Sequence, residues 1–385
     1  MLIYHLADLH IGKKLNNVSL IEEQRAVLEE VLAIIGQRRP DALLLAGDLY
    51  DRRNPPIEAV NLLDEFLSAV VLEEKVPVLA IGGNHDSGER LSFAGGILAK
   101  AGLYMAGRFQ LPVPEVILAD QWGPVHFHLL PYADLLTLRY ELAEETLEDY
   151  PAAMARVLET IEADWTEGER HVLVAHGVVT GDEPLERSES ERELTIGGTE
   201  SWSSALLGRY NYVALGHLHN SQRAGAEHIR YAGSLLKYSF SEEHQVKSMT
   251  AVTLDETGAC TIERLPLMPP HDLRTITGTL AELVAGAEKD PARLDHVRAE
   301  LTDRGELLEP MAALRAVYPN IFELRRLYAA RVPIEEGGPE RIRPEEAQPE
   351  ELFAQFYRQM TGEEWTAEEQ KILQGVLERL LKERA

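Results

Sequence analysis

The chain has 385 residues, 45% hydrophobic and 26% charged, which is the balance of a globular protein too long for one minimal domain. Acidic side chains outnumber basic ones 64 to 38, and a net charge of −26 argues against a protein that grips polyanions by global attraction. It leaves room for a nucleic-acid enzyme whose local positive charge comes from bound metal ions. One cysteine, Cys260, excludes an internal disulfide and fits a reducing compartment. The N-terminus has no basic leader, and no stretch approaches the ~18 apolar residues of a membrane-spanning helix. A cytoplasmic location with no membrane contact is the expectation.

In chain order, short apolar runs predict strands at Leu2–Ala7, Ala42–Ala46, Val76–Ile81, His126–Leu130, Val172–Ala175, Tyr212–Leu215 and Ile229–Ala232. Helical patterns over Ser19–Gln37 and Ile57–Glu74 alternate with them, so the fold class is layered α/β, with antiparallel pairing expected after about residue 210. Ala251–Leu254 and Cys260–Leu265 read as a closing hairpin across Gly258. The first domain is placed at 1–268 and a small β-α-β-α-β domain at 269–332. A linker rich in Pro and Gly follows at 333–349, and amphipathic helices at 350–385. In that last segment Leu352, Phe353, Phe356, Tyr357 and Met360 form one stripe; Ile372, Leu373, Val376, Leu377, Leu380 and Leu381 form another. Thr366 with Glu369 makes a capping box ahead of the second helix.

Five apolar strands run straight into metal-ligand residues: Asp8 and His10; Asp48 and Asp51; Asn84, His85 and Asp86; His176; and His217 with His219. Groups at the C-terminal ends of strands converge on one crevice in α/β folds, and an i, i+2 pair faces one point. Alone, an Asp-x-His is more often a strand-end turn. Five such junctions in series point to a metal site. Carboxylate, imidazole and amide oxygen suit Mn²⁺, Fe²⁺ or Zn²⁺. Asp8, His10, Asp48, Asn84, His176, His217 and His219 are seven candidate donors, more than one ion needs, so two ions sharing Asp48 is the economical reading. Paired metals are a usual device for attack of water on a phosphate ester. His5, His126, His128 and His171 lack a glycine turn and read as ordinary strand residues, while Tyr238 and Phe240 read as packing.

Asp8-x-His10, Gly47-Asp48-x-x-Asp51-Arg52, Gly83-Asn84-His85-Asp86, His176-Gly177 and Gly216-His217-x-His219 resemble the signature of calcineurin-like metallophosphoesterases. Within them, His5–Gly12, Gly47–Arg52, Ser190–Gly198, Tyr212–His219 and Tyr231–Phe240 are similar to the SbcD family of bacterial nuclease subunits. The resemblance implies a four-layer β-sandwich flanked by helices, with a small α/β domain capping the DNA. It implies one metal on Asp8, His10, Asp48 and His219, and another on Asp48, Asn84, His176 and His217. His85 would be the catalytic histidine, oriented by Asp51, and Asp86 a supporting group. It further implies a manganese-dependent DNA endonuclease and 3′-to-5′ exonuclease acting in repair, recombination and replication. Its ATPase partner SbcC would be gripped by residues 350–385, two copies of each protein together.

Two competing classes remain open, a small-molecule or cyclic-nucleotide phosphodiesterase and a non-catalytic scaffold. The helix over residues 57–74 carries an apolar arc of roughly 200°, wider than one sheet contact needs, and predicts a homodimer, as does the resemblance. Lys13, Lys14, Arg52, Arg53 and Arg90 are the basic residues nearest the metal loops and the expected DNA contacts.

Overall fold

The computed structural model describes residues 1–191, 200–327, 353–354, 357–358 and 366–383, with backbone alone at 368 and 377–383. The expected linker at 333–349 and most of the stretch Ser190–Gly198 lie outside the described residues. Two compact units divide the chain, Met1–Leu273 and Arg274–Ala385.

The strands that build the first unit are β1 (Leu2–Leu6), β2 (Ala42–Ala46), β3 (Val78–Ile81), β4 (Leu103–Ala106), β5 (Glu115–Asp120), β6 (Gly123–Leu130), β7 (Arg170–His176), β8 (Tyr212–Gly216), β9 (Gln222–Ala224), β10 (Ala226–Tyr231), β11 (Ser248–Leu254) and β12 (Cys260–Pro266). One sheet has the order β12-β11-β1-β2-β3-β4, parallel from β1 to β4 and antiparallel at β11 and β12. The other has the order β9-β10-β8-β7-β6-β5, parallel through its four central strands and antiparallel at both edges. The antiparallel pairing expected after residue 210 is found at β9, β11 and β12, but not at β8. The segment joining β7 to β8 is long enough for a crossover, and β8 pairs parallel on both sides.

Side-chain alternation explains why these strands read as unbroken apolar runs. In β1 and β2, Ile3, Ala42, Leu44 and Ala46 point into a core shared with Phe127, Val172, Val174 and Ala214 of the second sheet. Their neighbours Tyr4, Leu6, Leu43 and Leu45 face outward, under helices α1 (Ile21–Arg38) and α2 (Ile57–Ser68). On the far side, α3 (Leu135–Leu142) and α4 (Tyr150–Glu162) cover the second sheet through Leu138, Met154, Val157 and Leu158. The central strands of each sheet are covered on both faces, and the unit is a four-layer α/β sandwich.

The breadth of the apolar face on α2 has an internal cause. Leu62, Leu63, Phe66, Leu67, Val70 and Val71 are all buried, packed between the sheet and Val27, Leu28, Val31 and Ile35 of α1. Buried pairs recur every four residues, slightly more than the 3.6 of an α-helix, and the backbone widens to a π-helical turn at Ala69–Glu73. A second molecule is not needed to account for the arc. Ile57, Val60 and Leu72 remain exposed.

In the second unit, β13 (Leu273–Gly278), β14 (His296–Leu301) and β15 (Ile321–Arg326) form one sheet in that order, with β14 and β15 parallel. Helices α5 (Leu280–Gly286), started by a Thr279/Glu282 capping box, and α6 (Pro310–Arg315) complete a small core around Val297, Ala299, Leu301 and Leu314. Helix α7 (Ala367–Glu383) begins at the Thr366/Glu369 box, whose reciprocal bonds are 2.7 and 3.3 Å long. It exposes Ile372 and Val376; the side chains of Leu377, Leu380 and Leu381 lie outside the described residues.

Candidate metal centre

The loops after β1, β2, β3 and β8 and the last residue of β7 carry the seven candidate donors, and the fold brings all of them together. All seven are buried. Two groups converge: Asp8, His10 and His219, and Asp8, Asp48 and His176, each offering one donor atom within 4.8 Å of the others. Nε2 of His10 and Nε2 of His219 are 3.2 Å apart. Asn84 Oδ1 lies 2.9 Å from His176 Nε2 and 3.3 Å from His217 Nδ1. Asp48 stands between the groups, its Oδ2 3.8 Å from His10 Nε2 and 3.5 Å from His176 Nε2.

The local backbone is bent to make this possible. Asp8, His10 and Asp48 have φ of 52°, 45° and 50°, and His217 has φ of 107°, all in territory unfavourable to side-chain-bearing residues. Each such residue costs of order 1–3 kcal/mol and persists where the surroundings over-determine it. The surroundings here are visible. Asp8 N–H donates to Gly47 O (3.0 Å), His10 N–H to Asp48 O (2.9 Å), and His217 N–H to both Asp8 carboxylate oxygens. Gly83 is required for close approach, because a Cβ there would collide with the Asp48 carboxylate.

Electrostatics favour cations at this point. Burial pushes the Asp8 carboxyl well above its ordinary range, with the neighbouring Asp48 charge adding to the effect. Burial and Asp48 likewise lift Asp86 to about 6. Burial drives His217 down to about 3 and also lowers His10 and His219, and neutral imidazole is the form a metal takes. His176 differs: burial pulls it down, but Asp48 outweighs this and holds it up at about 9. His176 Nδ1 donates to Ala46 O at 2.9 Å, leaving Nε2 for the site. Buried carboxylates beside imidazoles, three of them held neutral by burial and His176 held charged by Asp48, form a donor set that fits divalent transition ions.

His85 and Asp51 meet in a way the sequence does not show. His85 Nδ1 donates to the main-chain carbonyl of Asp51 at 2.8 Å, and the His85 ring stands 4.8 Å from that of His10, edge to face. The Asp51 carboxylate instead pairs with Lys13 Nζ at 2.9 Å. Asp86 accepts from the N–H groups of Leu49, Tyr50 and Gly83, tying two metal loops together. Of the expected DNA contacts, Lys13 pairs with Asp51 at 2.9 Å and the exposed Arg52 with the same carboxylate at 3.7 Å; Arg90, also exposed, donates to Asn54, and Lys14 and Arg53 are exposed.

Other supporting groups escape a reading by motif. Gln24, fully buried on α1, accepts from Gly12 N–H (2.9 Å) and donates to His10 O (2.8 Å), and the Tyr238 hydroxyl donates to Leu9 O. A glutamine on the inward face of an amphipathic helix was the available signal. The histidines outside the junctions make other contacts: His5 Nδ1 bonds the Tyr212 hydroxyl, and His128 and His171 stack with Trp165.

Strand-end carboxylates and imidazoles closing on one pocket of a four-layer sandwich describe a metal-dependent phosphoesterase. The family model for calcineurin-like phosphoesterases matches residues 1–221, and one described as the type 5 capsule protein repressor C-terminal domain matches residues 269–361. The chain is 31% identical over 384 residues to SbcD of the nuclease SbcCD from Staphylococcus saprophyticus subsp. saprophyticus, covering 100% of this chain and 99% of that one. It belongs to the SbcD family of calcineurin-like phosphoesterases. Among solved structures, a dimetal phosphatase from Danio rerio aligns at 12% identity and TM-score 0.43, covering 69% of this chain and 96% of that one. A phosphopantetheinyl hydrolase from Mycobacterium tuberculosis aligns at 17% and 0.31, covering 60% and 88%. No helix among the described residues is long and apolar enough to cross a membrane.

Proposed function

We propose that this chain is a two-metal DNA phosphodiesterase working with the ATPase SbcC, cutting single strands and hairpins and degrading duplex ends from the 3′ side. The observation that carries this is the Asp48 carboxylate between two donor groups, within 4 Å of His10 on one side and His176 on the other. Asp8, His10, Asp48 and His219 would hold one ion and Asp48, Asn84, His176 and His217 the other. Manganese is the ion proposed, with Fe²⁺ and Zn²⁺ suiting the same donors. Bound ions there supply positive charge to the phosphate oxygens and lower the pKa of water.

The chain's own residues do the rest. His85, held through Nδ1 by the Asp51 carbonyl, presents Nε2 to the phosphate and to the departing ribose oxygen. Asp48 also receives the His85 backbone N–H at 2.8 Å, so the donor loop and the catalytic ring are fixed to one another. Lys14, Arg52, Arg53 and Arg90 give the strand a local foothold on an acidic protein. Manganese-dependent cleavage of hairpin DNA, against a chromogenic phosphodiester as control, tests the substrate class. DNA cut far faster than the small ester is the expected outcome, and the reverse preference excludes it.

Assembly is proposed at two places, a homodimer through residues 57–74 and an SbcC contact through 350–385. Exposed Ile57 and Val60 on α2, and Ile372 and Val376 on α7, support them. Light scattering tests both. Charges at Ile57 and Val60 should halve the mass of the chain alone, and a chain ending at residue 349 should no longer co-elute with SbcC. An unchanged mass, or co-elution retained, contradicts the respective contact.

A further inference from the structure

His219 is gripped from every side by residues outside the strand-end motifs. Its backbone N–H donates to Glu191 Oε1 at 2.8 Å, and its carbonyl accepts from Lys247 Nζ at 2.9 Å. On the ring, Nδ1 lies 2.7 Å from Ser190 Oγ and 3.4 Å from Glu242 Oε1. Ser190 Oγ in turn donates to Glu242 Oε1. Glu242 is 0% exposed, and its other oxygen, Oε2, lies 2.6 Å from Lys247 Nζ, itself 5% exposed.

The direction of this chain of bonds follows from its end. A carboxylate only accepts, so the Ser190 hydroxyl proton must point to Glu242. Ser190 Oγ then has only lone pairs to offer His219, and Nδ1 must carry the hydrogen. That leaves Nε2 with its lone pair facing His10, 3.2 Å away, where the ion is proposed to sit. A ligand histidine commonly owes its tautomer and ring orientation to such an outer partner. An unpaired carboxylate at this depth is costly, and Lys247 balances it.

We propose that Glu242, acting through Ser190 and neutralised by Lys247, is the positioning residue that locks His219 into the Nδ1-protonated tautomer and so presents Nε2 to one of the two metals. This rests on the metal assignment made above. Glu242 belongs to neither donor set and to none of the strand-end motifs, 23 residues beyond His219.

Glu242→Gln tests it, because an amide donating to Ser190 reverses the relay and turns the hydroxyl proton toward His219. Since that variant leaves Lys247 without its counter-charge, Glu242→Leu with Lys247→Met is made beside it, which removes the acceptor that turns the Ser190 hydroxyl away from His219 and leaves no buried lone charge. Full-length protein is titrated with Mn²⁺, free ion being read by electron paramagnetic resonance, and metal-free samples labelled with ¹⁵N-histidine report the tautomer. In the unsubstituted chain two ions bind and His219 shows Nδ1–H. In whichever variant folds, by circular dichroism, one site weakens by about tenfold to a hundredfold, the other is unchanged, and the Nδ1–H signature is lost. Two undisturbed sites with an undisturbed tautomer overturn the role of Glu242 while leaving the metal assignment intact. No ion bound by the unsubstituted chain overturns both.

Discussion

Asp48→Asn is expected to leave the fold in place and abolish activity by on the order of 10³-fold or more, the scale of deleting one electrostatic contributor to a transition state. The substitution keeps the shape of the side chain, and the amide oxygen can still accept the His85 N–H that Asp48 Oδ1 now receives at 2.8 Å. What disappears is the charge that faces His10 at 3.8 Å and His176 at 3.5 Å. A donor serving one ion would weaken one site; a donor between two should weaken both. Manganese titration beside the cleavage assay reads this directly. Loss of one ion with the second fully retained would show that Asp48 is not shared. Asp8 would then be the sole link, since its carboxylate reaches both donor groups.

His85→Gln is expected to do the opposite to binding and nearly the same to rate. The ring is tied by Nδ1 to the Asp51 carbonyl and is no member of either proposed donor set. Both ions should stay at their original affinities, and cleavage should fall by about 10²–10⁴-fold, the usual contribution of a positioned proton donor. Asp51→Ala provides the contrast. The carbonyl that holds His85 survives it, and the carboxylate that is lost was occupied with Lys13. A fall within about tenfold is expected, far short of the loss in His85→Gln. Equal losses in the two variants would mean that the Asp51 carboxylate, not its main chain, orients the ring.

Much of the site was legible because parallel strands advertise their ends. Leu43, Leu44 and Leu45 are apolar on both sides of the chain since β2 is covered by helices on one face and a second sheet on the other. The first polar residue after such a run, Asp48, therefore stands out as a group placed at a strand terminus. The same contrast marks His176 at the end of β7 and His217 just after β8. Elsewhere the sequence misleads or is silent. The wide apolar arc of α2 looks like an external interface, but α1 and the sheet consume nearly all of it, a tertiary fact that periodicity cannot distinguish. The link from Asp51 to His85 runs through a backbone carbonyl, which every residue has and no motif records. Glu242 and Lys247 lie in an unremarkable polar stretch, and only folding puts them behind His219. Positive φ at Asp8, His10 and Asp48 leaves no trace in a chain that places no glycine there.

Anomalous scattering from crystals soaked in manganese tests the proposed pair of metals most directly. Two peaks are expected, one beside His10 and His219, the other beside Asn84, His176 and His217, with Asp48 touching each. A single peak, peaks remote from these side chains, or none at all in well-ordered crystals would contradict it.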